Sequence, residues 1–140
     1  MKEIRWSLIK PLSDNTLLDA FELKFNYKIP AELRDLIVKY NEGIPEENVF
    51  DKPEEGMELH RLLSFEEQRR GGAYTCAQHF IKDGQLRVLP FARDSFGNLI
   101  CMKDGKVVFW DHELDYGEDD EDGIEPIADS LPEFLEMLHE

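Results

Sequence analysis

The chain has 140 residues, 41% of them apolar, with nine phenylalanines and two cysteines. That suffices for one domain with an ordinary core, since a chain of this size buries roughly 68–70% of its extended surface; we read residues 1–140 as a single domain. The net charge of −15 repels nucleic acid and anionic membranes and favours a basic partner. Nor is it spread evenly: residues 111–140 carry thirteen Asp or Glu and no Lys or Arg, whereas residues 1–110 are close to balance at −2.

The N-terminal residues Met1 to Trp6 precede no long apolar stretch, so neither a signal peptide nor a membrane span is expected. Cys76 and Cys101 are too few for a disulfide scaffold and lack metal-ligand spacing, which suits free thiols in the cytoplasm. After Ser13-Asp14, which can cap a helix, Leu17, Leu18, Phe21 and Phe25 recur at helical spacing. A second helix has Pro30 in its first turn, a stripe of Leu33, Leu36, Ile37 and Tyr40, and a stop at Gly43. Residues 46–56 read as a polar loop and Met57–Leu63 as a strand. Ser64 and Glu67 have the spacing of a capping box, predicting a helix from Phe65 that Gly71-Gly72 interrupts and residues 73–81 resume.

Asp83-Gly84 then turns the chain into Leu86–Phe91, the first strand of a meander. Its later strands are Asn98–Met102 and Lys106–Asp111, with Asp104-Gly105 as a tight hairpin between them. Ser130 and Glu133 cap a closing amphipathic helix with Phe134, Leu135 and Leu138 inside. The order predicts an α+β fold: a mostly antiparallel sheet, with a three-strand C-terminal meander and an earlier strand, covered on one face by about four helices. Trp110 alternates with Phe109, so one of the two faces the helices and the other is free to line an open sheet face.

Several segments resemble the SUKH superfamily, the SMI/KNR-type domain. Ile29-Pro30-Ala31-Glu32-Leu33 with Leu36 and Tyr40-Asn41-Glu42-Gly43 is similar to its "LP…FL…NGG" opening. Leu62 to Glu67 resembles its middle strand-to-helix junction. Leu89-Pro90-Phe91-Ala92 with Phe96-Gly97-Asn98-Leu99-Ile100-Cys101 resembles its "PFA-x-D-x-x-GN" strand pair. Val108–Glu113 and Ile127–Leu135 resemble its last strand and closing helix. One departure is Glu42-Gly43-Ile44, where many members have two consecutive glycines. The resemblance implies a non-enzymatic binding module with no cofactor. Bacterial members are typically cytoplasmic immunity proteins that bind a cognate toxin, often a nuclease or nucleic-acid deaminase; fungal members resemble scaffolds in cell-wall signalling. The implied partner is a protein toxin with a basic surface, with no direct nucleic acid and no membrane. The oligomeric state stays open.

The acidic run supplies the first candidate site. Asp111, Glu113, Asp115, Glu118, Asp119, Asp120, Glu121 and Asp122 can occupy a toxin's phosphate-binding surface and speed encounter, with Tyr116 as an aromatic anchor. The same run can instead be a solvated face that keeps the protein soluble. Phe96, in the polar turn Asp94–Asn98, either folds back over the sheet while Gly97 takes a positive φ or joins the contact surface. An EF-hand-like reading of residues 118–129 fails on Glu at its first place and on Pro126. His112 between two acids on a strand does not converge with them on one ion. Cys76 and His79, three apart, could form a dyad only with an orienting acid that the sequence does not offer. No phosphate-binding glycine loop and no serine-nucleophile motif is present.

Overall fold

The computed structural model describes residues 4–52, 55–113 and 123–140. Along the chain lie β1 (Trp6–Ser7), α1 (Thr16–Phe25), α2 (Ala31–Tyr40), β2 (Ile44–Pro45), β3 (Val49–Lys52), β4 (Glu55–Glu58), β5 (Arg61–Leu62) and α3 (Ala73–Ala77). A 3₁₀ turn, Gln78–Phe80, leads to β6 (Ile81–Lys82), β7 (Gln85–Leu86), β8 (Leu89–Arg93), β9 (Leu99–Lys103), β10 (Lys106–Trp110), β11 (Ile124–Ala128) and α4 (Leu131–Met137). The fold is α+β. A five-stranded sheet in the order β11-β10-β9-β8-β5 is antiparallel throughout.

The meander forms where the turn chemistry demands. Asp104 and Gly105 take φ of 52° and 80°, the pair of positive values a two-residue type I′ hairpin requires. This pins Lys106 opposite Lys103 and Val108 opposite Cys101. Asp83 and Gly84, at 52° and 75°, make the same turn between β6 and β7. That small hairpin interrupts the strand expected over Leu86–Phe91. The meander therefore starts at Leu89 and runs on to Arg93. Pro90 has no N–H to give, and the β8–β9 ladder shifts register between Pro90 and Ala92.

Both faces of the sheet are covered, which corrects the expectation of an open face. Phe109 and Trp110 are both buried, and they point in opposite directions. Phe109 meets Phe50 of β3, which packs edge-on against Phe134 of α4; Phe91 of β8 also reaches Phe134. Trp110 instead packs on Phe80 and His79 of the 3₁₀ turn. Phe21 and Phe25 of α1 close over Tyr74 of α3, with Phe21 also against Phe65. Burying one such aromatic side chain contributes about 1.5–3 kcal/mol, so the rings joining the helices to the sheet fix their placement.

Two other expectations fail locally. Residues 65–72 are not helical. Ser64 Oγ accepts from the amide of Glu66 at 3.1 Å, not from that of Glu67, and the Glu67 carboxylate is turned to Lys24 of α1 at 2.9 Å. The amide of Phe65 donates to Asn41 Oδ1 (3.0 Å), and that of Ala73 to Ser64 O (2.7 Å), tying off the segment as a loop. Residues 46–56 are also not a plain loop. Phe50 is fully buried there, and Val49 bridges to His139 near the C-terminus, so β3 and β4 form a hairpin. At the other end, Ser130 Oγ accepts from the amide of Glu133 at 3.2 Å and starts α4 as expected.

Candidate partner-binding surface

The β8–β9 turn is built around one buried carboxylate. Asp94 is 1% exposed. Its Oδ1 accepts from the amides of Phe96 (2.8 Å) and Asn98 (2.9 Å), and its Oδ2 accepts from Asn98 Nδ2 (2.8 Å). Three charge-assisted bonds satisfy a group that would otherwise be costly to bury. Gly97 takes φ +93° at the tip, as expected for a turn that only glycine enters without strain. Phe96 does not fold back. It stands 74% exposed, with its own amide and that of Asn98 both bonded to Asp94 so that the turn holds it at the tip.

Asn98 carries this order across to the end of β10. Its Oδ1 accepts from the backbone amide of His112 at 3.1 Å and lies 2.7 Å from His112 Nδ1, so that nitrogen carries the proton. Asp111 Oδ1 accepts from the amide of Glu113 at 2.9 Å, and the Asp111 amide donates to Gly123 O. A rigid rim results: Phe96 on one turn, and half-buried Asp111 and exposed Glu113 on the next, locked together through Asn98 and His112. Asp115, Tyr116, Glu118, Asp119, Asp120, Glu121 and Asp122 lie outside the described residues. So do residues 118–122 of the EF-hand-like stretch. The Asp111–Glu113 pair therefore marks where the acidic run leaves the sheet.

The chemistry that His112, Cys76 and His79 suggested does not assemble. His112 is occupied by Asn98. Burial pushes the Cys76 thiol up to about 11, only partly offset by the positive charge of Arg93, so it stays protonated at neutral pH. Cys76 Sγ donates to Gly71 O at 3.7 Å, while the His79 ring packs against Trp110. Cys101 is fully buried, and its thiol is also pushed well up by desolvation. Among the described residues, no group of three His, Cys, Asp or Glu is placed to hold a metal ion.

A second charged feature escaped the sequence. Arg61, Arg69, Arg70 and Arg93 line one cleft together with Glu42. Arg69-Arg70 is a basic dipeptide beside Gly71-Gly72, but nothing in the primary order joins it to Arg61 and Arg93.

Comparison with known proteins settles the lineage. The SMI1 / KNR4 family (SUKH-1) model matches residues 11–137. The chain belongs to the SMI1 / KNR4 family. SUKH-1 is a non-catalytic protein-interaction domain. No curated protein and no solved structure matches the chain significantly. The Asn41-Glu42-Gly43 segment has an architectural role. Asn41, fully buried, donates from Nδ2 to Lys10 O (3.0 Å) and accepts from Phe65, joining the N-terminal segment to the loop after β5. At Gly43 a Cβ would come within 2.8 Å of Tyr40 O and 3.1 Å of the Trp6 ring, so the glycine is required by close approach. Glu42 beside it holds φ +62°, a conformation that glycine adopts freely.

Proposed function

We propose that the chain is a cytoplasmic immunity protein that binds a cognate protein toxin, a basic nuclease or nucleic-acid deaminase domain, and occludes its active surface. The observation that carries this reading is the rim: an exposed Phe96 on a stiff turn, beside Asp111 and Glu113 where the acidic run begins. Such a turn presents an aromatic anchor with little ordering to be lost on binding. The carboxylates of residues 111–122, with Tyr116 among them, supply a field complementary to any surface evolved to hold phosphates. A toxin has to expose that surface in order to act, so covering it inactivates the toxin without chemistry.

The test is capture of the partner from cells that encode this chain, followed by co-production of the two proteins. Growth should be rescued by the wild-type protein, and the purified pair should form a stoichiometric complex whose nuclease or deaminase activity is lost. A partner that proves to be a housekeeping protein with no toxic activity would overturn the immunity role in favour of a scaffold.

A further inference from the structure

The cleft of about 250 Å³ between β5, β8 and the loop before α3 is lined by Arg61, Arg69, Arg70, Arg93, Glu42 and Ser64, among others. Four guanidiniums against one carboxylate leave three positive charges in excess, in a protein of net charge −15. We propose that this cleft is a binding site for one phosphate monoester group. The proposal stands apart from the immunity reading and from the acidic rim.

Three observations carry it. First, Arg61 and Arg93 are direct partners in the β5–β8 register. Side chains directly opposite on antiparallel strands share a face, and like charges there are destabilising. Second, little among the described residues neutralises them. Glu42 is 6% exposed and is engaged by Arg69 at 3.1 Å, while Arg61 reaches the Glu42 backbone carbonyl through Nε (3.3 Å). Arg70 and Arg93 have no ion pair among the described residues, and Arg61 keeps its terminal nitrogens free of one. Third, the loop is held close. A Cβ on Gly72 would come within 2.8 Å of Ser64 O and 3.2 Å of Arg69 O, which fixes how near the Arg69-Arg70 loop sits to the strand side.

The ligand class follows from charge and shape. With Arg69 paired to Glu42, three guanidiniums remain. A phosphate monoester brings nearly two charges and three acceptor oxygens at neutral pH, and guanidinium forks match such oxygens in pairs. A lone carboxylate would leave most of the excess charge unmatched. A long nucleic acid would meet the repulsion of the whole molecule, whereas a small anion in the cleft feels distant acids only through a screening length of about 10 Å at 0.1 M salt. The volume suits the phosphate end of a ligand, below the ~300 Å³ at which whole-ligand pockets begin.

The test is an NMR titration of the full chain, following the arginine Nε–H signals at ionic strength held constant with chloride. Inorganic phosphate, a phosphoserine peptide, a nucleoside 5′-monophosphate and acetate are the probes. Saturable shifts at Arg61, Arg70 and Arg93 are expected with the three phosphates, and binding of acetate at least about tenfold weaker. Arg93→Gln should keep the folded spectrum and weaken phosphate binding by about tenfold or more; Arg93→Lys, which keeps the charge and loses the fork, should also weaken it. Tighter binding of the peptide than of the nucleotide assigns a protein-borne phosphate, and the reverse order a small metabolite. Non-saturating shifts, acetate equal to phosphate, or an unchanged affinity in Arg93→Gln would each overturn the proposal.

Discussion

Asp111 and Glu113 sit at a strand end where their charges reach water, whereas Arg61 and Arg93 face each other across a two-residue strand pairing. The acids repel one another weakly there, in high dielectric and salt, and the fold gives up little to keep them. The arginines are opposed at short range beside a buried carboxylate whose backbone is in the left-handed region. One charged region is thus nearly free of conformational cost, and the other is held against local preference. Residues kept at a cost to stability mark sites that a ligand rewards. Charge displayed at no cost suits long-range attraction of a partner.

The contrast can be broken most severely at Asp94. Asp94→Ala leaves the amides of Phe96 and Asn98 and the Asn98 side chain without their acceptor. It should destabilise the protein by about 3 kcal/mol in chemical denaturation and release Phe96 from its fixed position. Phe96→Ala separates binding from folding. Its stability should stay within about 0.5 kcal/mol of wild type, while affinity for the partner falls by about 2 kcal/mol; a stability loss of the same size would return Phe96 to a packing role.

On the arginine side, Glu42→Ala should cost about 1 kcal/mol more than Glu42→Gly, because only glycine relieves the positive φ after the ion pair with Arg69 is lost. Equal costs would mean that the backbone there is unstrained. Smallest of all, Arg93→Gln is expected to raise ligand-free stability by a few tenths of a kcal/mol by removing a like-charge pair. A clear loss would show that Arg93 supports the fold.

These regions differ equally in how far they could be read from the chain. The acidic run is contiguous, so counting alone reveals it. The helix over Ala31–Tyr40, the Asp104-Gly105 hairpin and the Ser130 cap were legible for a similar reason, since each depends on residues within one or two turns. The segment after Ser64 was misread because a distant residue, Asn41, takes the amide of Phe65, and because Glu67 has a partner on α1. β11, with Pro126 and two exposed residues, carries no strand pattern and is defined by its pairing with β10. The arginine cleft was the least legible, since the Arg61–Arg93 pairing exists only once β5 finds β8. Phe96 was legible as a turn residue, but its exposure depended on Asp94 being buried.

The most direct test of the account is the association rate of the captured partner as salt is varied, for wild type and for a variant with Glu118→Gln, Asp119→Asn, Asp120→Asn, Glu121→Gln and Asp122→Asn. Steering by the acidic run predicts association about tenfold slower in the variant at low salt, a flattened salt dependence, and a dissociation rate that changes much less. Equal association rates with the same salt dependence in both proteins would contradict it.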